Sequence, residues 1–260
     1  MTSTRLWDRA ATLPVPIDGR RAPAITALPA GLPTVAELFE FMRDAELRFA
    51  TLRMRIEELT MTARGQHTVA LDVALRHPGA AKVTTSQPGT GLVGDYEIWI
   101  SDGDLVRTFA SAHRLGTQRP IRARPRGLDD PDLPGSSKVY APLTPLPAET
   151  LPDTFVHPAN YCQNVLQTGE CTIVGSGIVL GREAIALTAA HPRTIELAAD
   201  RPDFLIRLDV DRETGVIVRL TETIGGEVTR DAQVVELAPD APLPPTMFDF
   251  TFPTDTTMLY

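Results

Sequence analysis

"DFLIRLDVDRETGVIVRLTET", residues 203–223, contains a run that superficially suits a calcium loop: Asp209, Asp211 and Glu213 at alternate positions, then Thr214 and Gly215. A loop of the EF-hand type places ligands at positions 1, 3 and 5, glycine at 6 and a bidentate glutamate at 12, between helices. Counted from Asp209, the sixth residue is Thr214 and the twelfth is Leu220, so the glycine arrives late and the final carboxylate is missing. The flanks alternate with a period of two. Phe204, Ile206, Leu208 and Val210 share one face, and Val216, Val218 and Leu220 follow on the returning arm. The stretch therefore predicts a β-hairpin with Gly215 in the left-handed region, which glycine enters without steric cost.

The same alternation recurs outward from this hairpin. "HTVALDVAL" (67–75) sets Val69, Leu71, Val73 and Leu75 on one face, and "DYEIWISDGDLVRTFA" (95–110) reads as a hairpin turning through Asp102-Gly103. On its first arm Tyr96, Ile98 and Ile100 share a face, with Glu97 and Trp99 opposite. "DAQVVELAPDAPLPPTMFDFTFP" (231–253) supplies a last strand, a Pro-rich turn and an apolar end. Before the strands, Thr34 and Glu37 form a capping-box pattern, and Val35, Leu38, Phe39, Met42, Leu47 and Phe49 keep helical spacing. This predicts one amphipathic helix of about four turns, changing to strand near Thr51.

Residues 1–33 show no sustained period and read as a loosely attached arm, leaving 34–260 as a single domain. Residues 116–160 are rich in proline and polar residues, too long for a plain connection, and read as an irregular insertion over one face. The expected fold class is α+β: one antiparallel sheet, strongly curved if it is single, with the N-terminal helix against it and an irregular middle insertion.

Charge and motifs exclude more than they assign. A formal net charge of −8 speaks against nucleic acid, because phosphate binding needs a basic face. "RPIRARPRG" (119–127), the one basic cluster, is interrupted by prolines and borders "LDDPD". No segment reaches the ~18 apolar residues of a membrane span. The N-terminus shows no apolar core of a secretory signal, which predicts a cytoplasmic protein as the sequence stands, or an exported or lipid-anchored one if its start has been trimmed. Gly89-x-Gly91-x-x-Gly94 has dinucleotide-loop spacing but precedes a strand, so it predicts a turn. Ser176, between glycines in "VGSGIVLG", lacks the strand-to-helix setting of a nucleophile elbow. His77, His157 and His191 each precede proline and predict loop ends; none of the five histidines has metal-ligand spacing. Cys162 and Cys171 are either a bridge closing a short loop, contributing ~2–3 kcal/mol, or two small buried apolar residues. No motif asks for a cofactor.

With the turn read as a hairpin, the C-terminal third follows a recognisable order: "GREAIALTAAHPR" (181–193), the opening hairpin, "GGEVTRDAQVVEL" (225–237) and "APLPPTMFDFTFP" (241–253). Together these resemble the LolA/LolB/RseB-like superfamily of lipoprotein carriers, particularly actinobacterial LolA-like proteins. The helix leading into "RMRIEEL" (53–59) and the segment "FVHPANY" (155–161) fit the same order. The resemblance implies an open half-barrel with helices plugging its concave side around an apolar cavity. The arginine that Gram-negative carriers use for lid control is not matched here, so the fold transfers further than the task.

The function expected on these grounds is non-catalytic binding of an acyl chain or other hydrophobic small molecule. The expected lining is Leu71, Val73, Ile98, Ile100, Ile206, Leu208, Val218 and Leu220 from the sheet, with Phe39 and Met42 from the helix. The alternative is an RseB-like interaction or sensor module that binds a partner's peptide. An enzyme ranks third, since no nucleophile, base and orienting group stand at recognisable spacing.

Overall fold

The computed structural model describes residues 27–62, 65–121, 142–193 and 201–259. Thr34 opens helix α1 (Val35–Arg43) through a complete capping box, with the Glu37 N–H donating to Thr34 Oγ1 and the Thr34 N–H to Glu37 Oε2. The helix is shorter than its pattern suggests. A 3-10 turn, Ala45–Arg48, takes up the rest, and the chain becomes extended at Phe49.

Among the described residues, twelve strands then form one curved, unclosed sheet. In chain order they are β1 (Thr51–Thr62), β2 (Gly65–Arg76), β3 (Ala80–Ser86), β4 (Tyr96–Asp102), β5 (Leu105–Ala110), β6 (Leu115–Pro120), β7 (Glu170–Val179), β8 (Arg182–Ala190), β9 (Phe204–Asp211), β10 (Ile217–Ile224), β11 (Glu227–Pro239) and β12 (Thr257–Leu259). In space the order is β12-β6-β5-β4-β3-β2-β1-β11-β10-β9-β8-β7. Every pairing is antiparallel except the short β12, which lies parallel on β6. Helices α2 (Leu151–Val156) and α3 (Ala159–Asn164) stand between the two meanders; α2 lies inside the segment expected to be irregular, and α3 starts at its end. The part of that insertion between residues 122 and 141, and the arm up to residue 26, lie outside the described residues.

The ladders from β1 through β6 run without a register shift. Shifts occur at Arg55/Ile56, Glu222/Thr223, Ile217/Arg219 and Ile173/Gly175, all on the β1-to-β7 side. A bulge bends its strand and adds twist, so that half of the sheet curls while the other continues as a meander.

The hairpin between β9 and β10 forms as its pattern implies. Gly215 has φ +80°, and a side chain there would press on Phe41 of α1, whose Cε1 and carbonyl oxygen would lie 3.1 Å from a Cβ. The acids of the turn are occupied by arginine. Arg182, opening β8, grips Asp211 with Nε and Nη2 at 2.7 and 3.0 Å and also donates to Glu213. Asp211 Oδ2 accepts from both the main-chain N–H and the hydroxyl of Thr214. Next in the turn, Arg212 holds the carbonyls of Pro29 and Gly31 ahead of α1.

Asp211 is 1% exposed and Glu213 76%. Removing one member of a buried pair strands the other charge, whereas an exposed pair contributes little. Arg182→Ala is expected to lower unfolding free energy by about 3 kcal/mol, and Glu213→Ala by less than about 1 kcal/mol. Urea denaturation of the two variants beside the parent checks the contrast.

Candidate functional site

The concave face over β1, β2 and β8–β11 is closed. From the helical layer come Leu38, Phe39, Met42, Phe155, Val156 and Leu166, all buried. They join one core with Val73, Ile206, Leu208, Val218 and Leu220 of the sheet. Of the ten residues expected to line a ligand cavity, Phe39, Met42, Leu71, Val73, Ile206, Leu208, Val218 and Leu220 belong to this one buried core. Cys162 and Cys171 are free thiols. Cys162 Sγ lies 3.8 Å from Met42 Sδ, and Cys171 Sγ donates to the Leu166 carbonyl. Burial pushes both thiols up, Cys162 the further, which makes them poor nucleophiles.

Beyond β2 the covers change sides. Opposite residues in a ladder share a face, and the rows can be followed across the sheet. One row runs Met54, Val73, Val83, Trp99, Thr108 and Thr117; the next runs Ile56, Leu71, Thr85, Glu97, Ala110 and Leu115. Both continue the concave face. Ile98 and Ile100 fall in the intervening rows and therefore look the other way. There they form a separate cluster with Ala74, Ala80 and Phe248, covered by the segment around the 3-10 turn Pro245–Phe248. Phe250 of the same segment packs at a tilt of 44° against Phe109, with ring centroids 6.0 Å apart, and meets Phe252 edge-on at 5.1 Å. Gly116 makes room for this strap: a Cβ there would stand 2.7 Å from Phe252. Ile98 and Ile100 thus stand on the opposite face of the sheet from Leu71 and Val73, where one shared face was expected, although Ile98 still borders the cavity described next.

The concave face over β3–β6 holds a cavity of about 360 Å³, reached by the first turn of α2 through Pro152. Its floor is Leu71, Val83, Thr85, Trp99, Thr108 and Thr117, with Glu97 among the lining residues. Pro147, Thr150 and Pro152 make one wall, and Leu259 of β12 borders it too. Thr108 and Thr117 hydrogen-bond to each other at 2.6 Å, so those two hydroxyls of the floor are already engaged. Trp99 was legible in the sequence as the large residue opposite Ile98 and Ile100; a tryptophan on a supposedly outer face needs its own apolar cover. A second hollow, about 450 Å³, lies at the sheet edge between Gln118 and the C-terminal Phe252, Thr256 and Met258. The cavity beside Trp99, lined from the sheet, from the segment Pro147–Pro152 and from Leu259, is the candidate site.

That wall is tethered by a buried polar cluster. Thr144 Oγ1 accepts from the Gly79 N–H and lies 2.7 Å from His77 Nδ1, while His77 stacks on Phe49. Glu46 accepts from the Leu143 N–H at 2.8 Å and lies 3.5 Å from His157 Nε2. The other ring nitrogen of His157 meets Asp153 at 3.0 Å. Burial raises the Glu46 carboxyl, with nearby His157 opposing. Burial, reinforced by the neighbouring charge of His157, pushes His77 down to about 3.

No family model matches the chain, and no curated protein matches it. Solved structures similar to it include an uncharacterized conserved protein from Thermus thermophilus, 12% identical with a TM-score of 0.48 over 87% of this chain and 99% of that one. MucB is 14% identical, TM-score 0.48, over 83% of this chain, which spans 62% of the MucB chain. A domain described as an outer membrane lipoprotein-sorting protein, from Vibrio parahaemolyticus, is 11% identical, TM-score 0.32, over 82% of this chain and 95% of that one. At such identities no residue role passes from them to this chain.

The tether gives a pH dependence with two opposing parts. The unfolded chain binds a proton on His77 near pH 6.5 that the folded chain refuses until about 3. His77 therefore contributes stability that is complete above its unfolded value and lost as pH falls. Glu46 works in reverse, contributing below its unfolded value of 4.5 and losing that as pH rises through its raised folded value. Acidification from pH 7 to pH 5 should cost about 2 kcal/mol through His77 alone. In urea titrations that loss is expected to steepen in Glu46→Gln and to flatten in His77→Gln.

Proposed function

We propose that this chain is a non-catalytic binding protein that takes a hydrophobic small molecule or single acyl chain into the cavity beside Trp99. One observation carries the reading: strands β3–β5 have their convex face closed by the C-terminal strap, while their concave face keeps an unfilled apolar hollow. Pockets for small ligands are concave, mostly apolar and in the range of about 300–1,000 Å³, and this cavity has that size. A water occupies about 30 Å³ and a methylene is similar, so about a dozen ligand atoms fit. The proposed site is the meander side of the concave face; of the residues first expected to line a cavity, Leu71 and Ile98 border it, Leu71 with its side chain on that face. The cytoplasmic placement expected from the first residues is a separate proposal; an exported or anchored chain would use the same cavity.

A second reading, a partner peptide, is favoured by β7. It is the last strand of the sheet among the described residues, and Val174 and Ile178 on it are 50% and 71% exposed. A strand edge of this kind suits addition of an extended peptide.

The test uses N-phenyl-1-naphthylamine, a neutral fluorescent apolar probe, with the purified full chain. The expected result is one site with a dissociation constant in the tens of micromolar, about −6 kcal/mol. Thr108→Trp, which fills the hollow, should weaken binding at least tenfold while the chain stays folded by circular dichroism. Equal binding to parent and Thr108→Trp, or no binding to either, contradicts the cavity reading.

A further inference from the structure

Among the described residues lining the cavity, Glu97 is the only one with a formal charge. It stands two places from Trp99 on the same face of β4, between Thr85 and Ala110, and is exposed at the margin of the hollow. Several other carboxylates of this sheet have arginine partners: Asp102 has Arg107, Asp231 has Arg219 and Glu58 has Arg230. Glu97 pairs with no basic side chain among the described residues. The indole of Trp99 beside it is a π-face that attracts cations, and the nearby hydroxyls of Thr108 and Thr117 are already bonded to each other. An apolar hollow with one unpaired negative charge at its margin favours a positively charged head and repels a carboxylate.

We propose that the cavity is selective for amphiphiles with a cationic, ammonium-type head, held by Glu97 and the Trp99 ring, over amphiphiles with an anionic head. This rests on the cavity reading above and names the ligand class of that same site. Glu97 sets the head-group preference and the apolar floor sets the affinity for the chain.

The experiment compares three probes with the same twelve-carbon chain, dodecyltrimethylammonium, 1-dodecanol and dodecanoate, each below the concentration at which it aggregates. Full-length Trp7→Phe protein leaves Trp99 as the reporting tryptophan. Its emission is titrated in the Glu97 form and in Glu97→Gln. The expected preference for the ammonium over the carboxylate probe is about tenfold, from an exposed charge pair together with a cation–π contact. Added salt should reduce it. In Glu97→Gln the preference should fall to about twofold, with dodecanol binding unchanged. An unchanged preference in Glu97→Gln, or dodecanoate binding as tightly as the ammonium probe, overturns head-group selection and leaves the cavity reading standing. Loss of dodecanol binding in Glu97→Gln overturns it too, because Glu97 would then be supporting the hollow. If none of the three probes binds the parent, both proposals fall together.

Discussion

Strands β2 to β5 carry apolar side chains on both faces, and each face requires its own cover. On the convex side Ile98, Ile100, Ala74 and Ala80 are buried beneath Phe248 and the strap that follows it. On the concave side Leu71, Val73 and Val83 belong to the main core, with Trp99 packed at its edge. Burying a large apolar side chain contributes about 1.5–3 kcal/mol, so neither face can be left to water without loss. The helices reach only part of the concave side: α1 lies near β7 and α3, and α2 near β10. The strip over β3–β6 is walled by Pro147, Thr150 and Pro152 but not filled by them. The hollow is thus a consequence of two covers that do not overlap.

The curl that brings helices and sheet together is held at the β9–β10 turn. Arg182, directly after Gly181, and Asp211, in "VDRETG", are the two ends of one bidentate ion pair. That geometry gives a physical reason for a strand opening with Gly-Arg to accompany a turn of this composition. The acids that imitate a calcium loop answer an arginine on the neighbouring strand, and Gly215 lets Phe41 of α1 approach the turn closely. Arg48 continues the contact by donating to the Phe41 carbonyl and lying over its ring at 3.8 Å.

Much of the sheet was legible because period-two alternation and turn chemistry agree. The β4–β5 hairpin turns at Asp102, whose Oδ1 accepts from the Leu105 and Asp104 N–H groups, and Gly103 has φ +104°. What alternation cannot give is which face of a strand meets which cover. Tyr96, Ile98 and Ile100 form the more apolar face of β4, yet their cover comes from residues 243–250, far along the chain. Helix α2 escaped notice because six residues starting at Leu151-Pro152 are too few for a helical period to stand out. The site itself was half legible: Leu71 is expected in it, while alternation alone puts Trp99 and Glu97 on the outer face of a hairpin.

A functional account of the chain turns on whether the hollow beside Trp99 receives a ligand. The most direct measurement is a crystal structure of the full chain grown with a bromine-terminated dodecyl ammonium amphiphile, located by the anomalous signal of bromine. The account predicts a single peak within the concave hollow, against Val83 and the Trp99 ring, with the head toward Glu97. A peak under the Phe248 strap, or a hollow left empty at saturating amphiphile, would contradict it.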